Sequence, residues 1–393
     1  MKEQSPYKEF SLIRGGLLYK FLVHMRLMRP DLEPLYGRAI ALALLTWLPL
    51  LILSAVQGMA LSGSVKIPFF YDFTVSVRLL LSLPLLIIAE GLVDIRSNEV
   101  IRHFIESGLV EDKDTPKYES IVRQVMKMVN FVPVEGVIVV LVNVNTLFMR
   151  LEFSEVSSTW QFLSSPSGMT RTPAGWWYLV VSLPVFQFLL WRWFYRYLIW
   201  CWYLWRTSRL DLRLVATHPD RVGGLAFLGV LQIKFCPIIF ALASLLSAYV
   251  GQEVVFGGAP LQQFTTMILG NVVLILVIFL GPYLVFSLQL FESFRRGFLA
   301  YSSLANDYTQ SFDRKWIKGE APQGEPLLGS SDIQSLADLS NSFGIVRDMR
   351  WVPFDLKLTI IPIVACTVVP FLPLALTVFP VEEIIKKIVS ILL

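Results

Sequence analysis

The chain has 393 residues, of which 55% are apolar and 16% charged, with a mean hydropathy of +0.60 and a net charge of +4. A soluble core of that length cannot bury so much hydrocarbon, so composition excludes secreted and cytosolic globular classes and predicts an all-α polytopic membrane bundle. A β-barrel would alternate apolar and polar residues along short strands, whereas residues 268–279 are apolar almost without interruption.

Residues 1–38 are polar and basic, with Lys2, Lys8, Arg14, Lys20, Arg26, Arg29 and Arg38, and lack a short apolar run followed by a small-residue cleavage site. The first span is therefore expected to be retained. A helix needs about 20 residues to cross roughly 30 Å of hydrocarbon. Seven stretches meet that need, over residues 39–61, 74–93, 131–149, 176–204, 226–250, 264–290 and 358–379. The expected organisation is a basic N-terminal segment, a six-span core over 39–302, a linker with an amphipathic helix over 303–357, and a seventh span with an amphipathic tail over 358–393.

Basic residues crowd alternate connections, at 96–127, 206–221 and 295–357, while the opposite side offers Lys66, Arg150 and Arg171. By the positive-inside rule the N-terminus is cytoplasmic. This orientation also accounts for the net positive charge without a nucleic-acid partner. Thr115-Pro116 reads as an N-cap and first helical position, with Ile121, Val125, Met128 and Val129 forming an apolar stripe toward the third span. Ser331 with Gln334 makes a capping-box pattern ahead of Ile333, Leu336, Leu339, Phe343 and Val346, so a second amphipathic connecting helix is expected there. Residues 152–175 and 319–330 read as loops, and 381–393 as an amphipathic segment on the membrane surface.

Ser82-Leu83-Pro84 and Ser182-Leu183-Pro184 echo each other in spans two and four, and Gly281-Pro282 lies in span six. Each proline frees a carbonyl and is expected to bend or break its helix. Phe131-Val132-Pro133-Val134-Glu135 and Trp351-Val352-Pro353-Phe354-Asp355 begin spans three and seven alike. Any repeat would be parallel, since the matching helices run the same way.

Charges inside spans are the most informative residues, because each costs roughly 3 kcal/mol or more at the bilayer centre unless paired or hydrated. Glu90 and Asp94 are four apart, as are Arg192 and Arg196, so each pair shares a helix face. With Glu135 and Lys234 they give three acids and three bases at similar depth, and Arg78 lies nearer the other side. Two readings stand: a structural ion-pair lock, and a hydrated vestibule open to the cytoplasm. Seven of the 11 tryptophans fall on span four, consistent with interfacial belts and packing. The three cysteines, Cys201, Cys236 and Cys366, read as packing residues.

The most compact polar motif is Thr217-His218-Pro219-Asp220-Arg221-Val222-Gly223-Gly224-Leu225 before span five. His218 with Asp220 reads either as a pH-responsive pair beside Arg206, Arg209, Arg213 and Arg221, or as a tight turn completed by Gly223 and Gly224. This stretch, with Val352-Pro353-Phe354-Asp355 and Pro370-Phe371-Leu372-Pro373-Leu374, resembles a group of uncharacterised bacterial multi-pass membrane proteins carrying a His-Pro-Asp-Arg-x-Gly-Gly-Leu segment. The resemblance covers about a tenth of the chain; it implies a bacterial inner membrane and brings no activity with it.

Three histidines, His24, His103 and His218, are too few for the metal sites of membrane hydroxylases or hydrolases. Neither a Gly-x-Ser-x-Gly pattern nor a phosphate-binding loop is present, so no enzyme, metal or cofactor is expected. Two functions remain: an ion channel or secondary transporter with a polar cytoplasmic vestibule, and a membrane scaffold or signalling subunit. The implied partners are the bilayer and its anionic headgroups, and a homo-oligomer is compatible with both.

Overall fold

The computed structural model describes residues 10–16, 35–61, 65–151, 159–165, 168–319 and 331–375. Six helices are long and apolar enough to cross a membrane: α1 (Leu35–Val56), α2 (Phe73–Glu106), α5 (Pro173–Thr207), α6 (Phe227–Phe256), α7 (Leu261–Ile317) and α9 (Leu356–Ala375). A seventh span arises if α3 (Thr115–Val129) and α4 (Val132–Leu151), which meet at a 40° bend, are taken as one. The remaining elements are a hairpin of β1 (Phe162–Ser165) and β2 (Gly168–Arg171) and the helix α8 (Ser331–Arg347). The protein is an all-α multi-pass membrane bundle, and its spans outlast the apolar stretches that betray them.

Helices α2 and α5 occupy the middle, touching each other, α1 and α6, while α5 also meets α3, α4 and α7. Both contain a proline, and in both the helix stays continuous. Proline has no N–H to offer the carbonyl four residues back, here Leu80 and Val180. The chain widens by one residue instead: the Leu83 N–H bonds the Arg78 carbonyl and the Leu183 N–H bonds the Tyr178 carbonyl, each across five residues. Span α9 does the same ahead of Pro362, where the Ile361 N–H bonds the Leu356 carbonyl. Gly281-Pro282 is absorbed differently, by a tightened 3-10 turn over Gly281–Phe286 inside α7. The expected breaks are thus absorbed as π and 3-10 turns within continuous helices. Adjacent serines tie the widened turns outward, Ser82 Oγ donating to the Ala241 carbonyl (3.1 Å) and Ser182 Oγ to the Thr46 carbonyl (2.6 Å).

The same two helices are capped alike, with Asp72 accepting from the Val75 N–H and Thr172 from the Gly175 N–H. Between them lies Trp160, fully buried, whose indole N–H donates to Asp72 (2.9 Å) and whose carbonyl accepts from Thr172 Oγ1 (2.8 Å). The segment expected to be a surface loop therefore carries a hairpin and a buried anchor. Its tryptophan was hidden among Ser, Thr and Gly, which dominate the local composition.

On the other face the α3 N-cap is Asp114, one residue before the expected Thr115. The Ile121, Val125 and Val129 stripe is buried against α5, where Tyr118 and Tyr203 share a hydroxyl hydrogen bond of 2.8 Å. Helix α7 runs 57 residues, through position 303 where a linker was expected. Its last turns carry α8, through a Phe298–Phe343 ring contact and Lys315 and Trp316 bonds to Asp332. The expected loop over 320–330 and the amphipathic segment over 381–393 lie outside the described residues.

Spans α6 and α9 pack against each other, with Cys236 and Cys366 next to one another at the seam. Mild oxidation with copper phenanthroline should cross-link these two and leave Cys201 alkylatable, as read by peptide mass spectrometry. A Cys201 cross-link instead would contradict this arrangement.

Candidate functional site: a buried charge network and the segment that fills it

Glu90, Asp94, Glu135, Arg192 and Arg196 are all within the bundle, none more than 6% exposed. The i,i+4 spacing puts Glu90 and Asp94 on one face of α2 and Arg192 and Arg196 on one face of α5, and the contact between those helices brings the faces together. Arg192 Nη1 pairs with Glu90, and Arg192 Nε lies 3.7 Å from Glu135 on α4. Arg38 of α1 adds a cation that sequence reasoning counted only toward orientation, its Nη2 lying 3.3 Å from the second Glu90 oxygen. Lys234 is not part of the network. It ends the short helix Phe227–Ile233, half-buried, and among the described residues it forms no ion pair with these acids. The reason is the break in α6 at that point, which offsets Lys234 from a continuous helical face.

The space between the charges is occupied by residues 10–16. Phe10, Leu12 and Ile13 are essentially buried, and Ser11 Oγ donates to Asp94 (2.5 Å). The Ile13 N–H also reaches Asp94 (3.2 Å), and Arg14 Nε lies 3.3 Å from its other oxygen. The Ile13 carbonyl accepts from Arg192 Nη2 (3.2 Å), and the Gly15 carbonyl from Arg196 Nη2 (2.9 Å). Arg196 Nη1 goes to the Val129 carbonyl at the end of α3 (3.1 Å), so among the described residues Arg196 binds backbone and no carboxylate. Gly16, at φ +89°, lies against Glu135 so closely that a Cβ there would stand 2.1 Å from its oxygen. Asn98 fixes the other end by donating to the Phe10 carbonyl (2.8 Å). Sequence reading gave Ser11 and Gly16 no role and counted Arg14 only toward orientation, because a short bent strap has no periodicity to detect.

The His218 motif has its own architecture. Asp220 accepts the N–H groups of Val222 (2.9 Å), Gly224 (3.1 Å) and Ala226 (3.0 Å), and lies 2.8 Å from His218 Nδ1. Burial alone would raise its pKa, but the three amides and the imidazole together hold Asp220 below the usual carboxylate value. The chain coils left-handed around this carboxylate, with φ of +59° at Arg221, +63° at Gly223 and +98° at Gly224. Gly223 packs against Leu214 and Gly224 against Leu109, so glycine serves there in both conformation and space. Arg350 then clasps the turn: its N–H donates to the Arg221 carbonyl (2.7 Å), its Nη2 to the Asp220 carbonyl (3.1 Å), and its Nη1 pairs with Asp355, the N-cap of α9. Arg221 itself reaches Asp348 at 3.6 Å. His218 remains about half exposed. Arg206 and Arg209 lie over the rings of Trp202 and Trp205, as basic residues at a membrane interface do.

Among the described residues no group of three or more His, Cys, Asp or Glu side chains is placed to hold a metal ion. No family model, curated protein or solved structure matches the chain.

Removing one partner of a buried pair typically costs about 3 to 5 kcal/mol, because the other charge stays behind unpaired. Arg192→Leu should lower stability in detergent by that order, and Arg192→Leu/Glu90→Leu should regain much of it; simple additivity would deny the coupling. For Asp220→Asn a loss of about 2 kcal/mol is expected at pH 7 from weakened amide bonds. Because the folded carboxyl titrates below its unfolded value, this contribution is present above about pH 4 and disappears as pH falls through the folded pKa. Denaturant unfolding of both proteins from pH 7 to pH 3 should show the two curves converging.

Proposed function

We propose that the chain is an ion channel or secondary transporter of a bacterial inner membrane, with its N-terminus and basic connections in the cytoplasm, and that the charge network is the polar part of its path. The carrying observation is five charged side chains buried to 6% exposure or less, at a level where three spans converge. Buried ion pairs add little net stability compared with apolar packing of the same volume, so five buried charges gathered at one site favour a functional role. Among the described residues, buried guanidinium nitrogens of Arg38 and Arg196 have no hydrogen-bond partner, which supports a site with unused donors. The π turns in α2, α5 and α9 add to this, since a locally widened helix has an alternative register close at hand. The bacterial placement rests on the resemblance of the His218 segment, and the orientation on the basic-residue asymmetry.

A scaffold or signalling subunit is the second reading, favoured by the arm that the end of α7 forms with α8. Leu299, Leu304 and Ile317 are exposed on it. That surface would engage a protein partner or anionic headgroups without any transport. Neither reading calls for catalysis.

Reporter fusions after Met169 and Gly257 should read outside, and one after Gly319 inside. In a background lacking the three cysteines, Ser97→Cys, one turn from Asp94, should react with a hydrophilic thiol reagent added from the cytoplasmic side. An inert Ser97→Cys together with absent ion flux in proteoliposomes would set the transport reading aside in favour of the scaffold.

A further inference from the structure

The strap over residues 10–16 is held in an unusual way: its backbone is read at both ends by side chains of opposite charge. Asp94 takes the Ile13 N–H and the Ser11 hydroxyl, while Arg192 takes the Ile13 carbonyl and Arg196 the Gly15 carbonyl. A single residue, Ile13, thus offers its N–H to a carboxylate and its C=O to a guanidinium. The arrangement does not come from a sheet, because among the described residues the strap has no strand partner. Its specificity lies in fixed charges set on two rigid helices, and those charges exist whether or not the strap is present. With the strap and its Arg14 withdrawn, Arg38, Arg192 and Arg196 would face Glu90, Asp94 and Glu135. The site is then neutral overall and polarised, with Asp94 lacking every partner the strap supplies and the Arg192 and Arg196 Nη2 groups lacking their carbonyls. Ile13 and Leu12 lie in apolar surroundings, so the same cleft also accepts aliphatic side chains.

We propose that this cleft is a binding site for peptide-backbone chemistry, meaning a short apolar peptide or a free aliphatic amino acid, and that the chain's own residues 10–16 occupy it as a built-in competitor. Asp94 receives the amide or ammonium donor, Arg192 and Arg196 receive the carbonyl or carboxylate, and the apolar wall receives the side chain. Water does not serve equally well, because it cannot fill the Leu12 and Ile13 positions. The proposal deepens the vestibule reading and rests on it for its place along a path, while its binding chemistry is independent of any flux.

Two changes release the strap, and the first of them leaves the charges on the helices untouched. Deleting residues 2–16 removes it, and Gly16→Val drives a side chain into the Glu135 carboxylate and disfavours the φ of +89°. The test uses purified protein in detergent and a fluorescent eight-residue peptide with the sequence of residues 9–16, followed by anisotropy. The deletion variant should bind this peptide at least tenfold more tightly than the intact chain, Gly16→Val should shift in the same direction, and Asp94→Asn in the deleted background should reverse the gain. Free L-isoleucine that displaces the peptide at millimolar concentration would identify an amino-acid site, and displacement only by unlabelled peptide would identify a peptide site; either supports the proposal. A folded deletion or Gly16→Val protein that binds no better than the intact chain overturns it, as does peptide binding indifferent to Asp94→Asn. Peptide binding with no flux under any condition would remove the transport reading and leave this site standing, whereas flux without peptide binding would do the reverse.

Discussion

Charge in hydrocarbon must be paired, and the Glu90–Arg192 contact is where this chain meets that demand. Everything around it follows from completing the pair. Glu90 has a second oxygen, which Arg38 of α1 reaches; Arg192 has further N–H groups, which reach Glu135 of α4 and the Ile13 carbonyl. Four elements are thereby registered to one point at the level where α2 and α5 cross. One turn away on the same two helices, Arg196 extends the same logic with backbone carbonyls in place of an opposite charge, and Asp94 with the strap's Ser11 hydroxyl, Ile13 N–H and Arg14. The outcome is a polar layer in which the strap supplies the donors and acceptors that water would otherwise provide.

The proline turns let the central helices do this. A sharp kink in α2 or α5 would rotate the residues beyond it and part the two charged faces. The π turns at Val77–Ser82 and Tyr178–Ser182 keep each helix continuous down to the network. At the far ends, Trp160 links the caps of both helices, so the two are positioned at one end by hydrogen bonds to a buried indole and at the other by ion pairs. The His218 turn is a separate device. Its carboxylate is spent on backbone amides and its outer carbonyls on Arg350, which couples the start of α6 to the start of α9. In that role Asp220 is a structural anchor, and the half-exposed imidazole is the part of the motif left facing solvent.

Much of the architecture was legible beforehand because its signals are local. Apolar runs of helix-spanning length mark the membrane segments, and spacing by four places Glu90 with Asp94 and Arg192 with Arg196. The helices at Thr115 and Ser331 announce themselves by Pro116 and by Gln334. Other features were misread where the local signal pointed elsewhere. Lys234 matched the network in depth but sits at a break in its helix, and Trp160 was masked by the Ser- and Thr-rich composition around it. Arg38 was counted toward topology, since nothing in its neighbourhood reveals that it turns inward.

Hydropathy, charge asymmetry and helical period determined by themselves that this is a multi-pass helical bundle, roughly where its spans lie and which charged residues share a face, because each of these is a property of residues within one or two turns of each other. Only the tertiary structure decided which faces meet and what lies between them. Ser11 finds Asp94 across 83 positions of chain, and Gly15 finds Arg196 across 181. A short bent strap bound through its backbone carries no periodicity and no motif, so its place in the network comes into being only when the helices that hold it have packed.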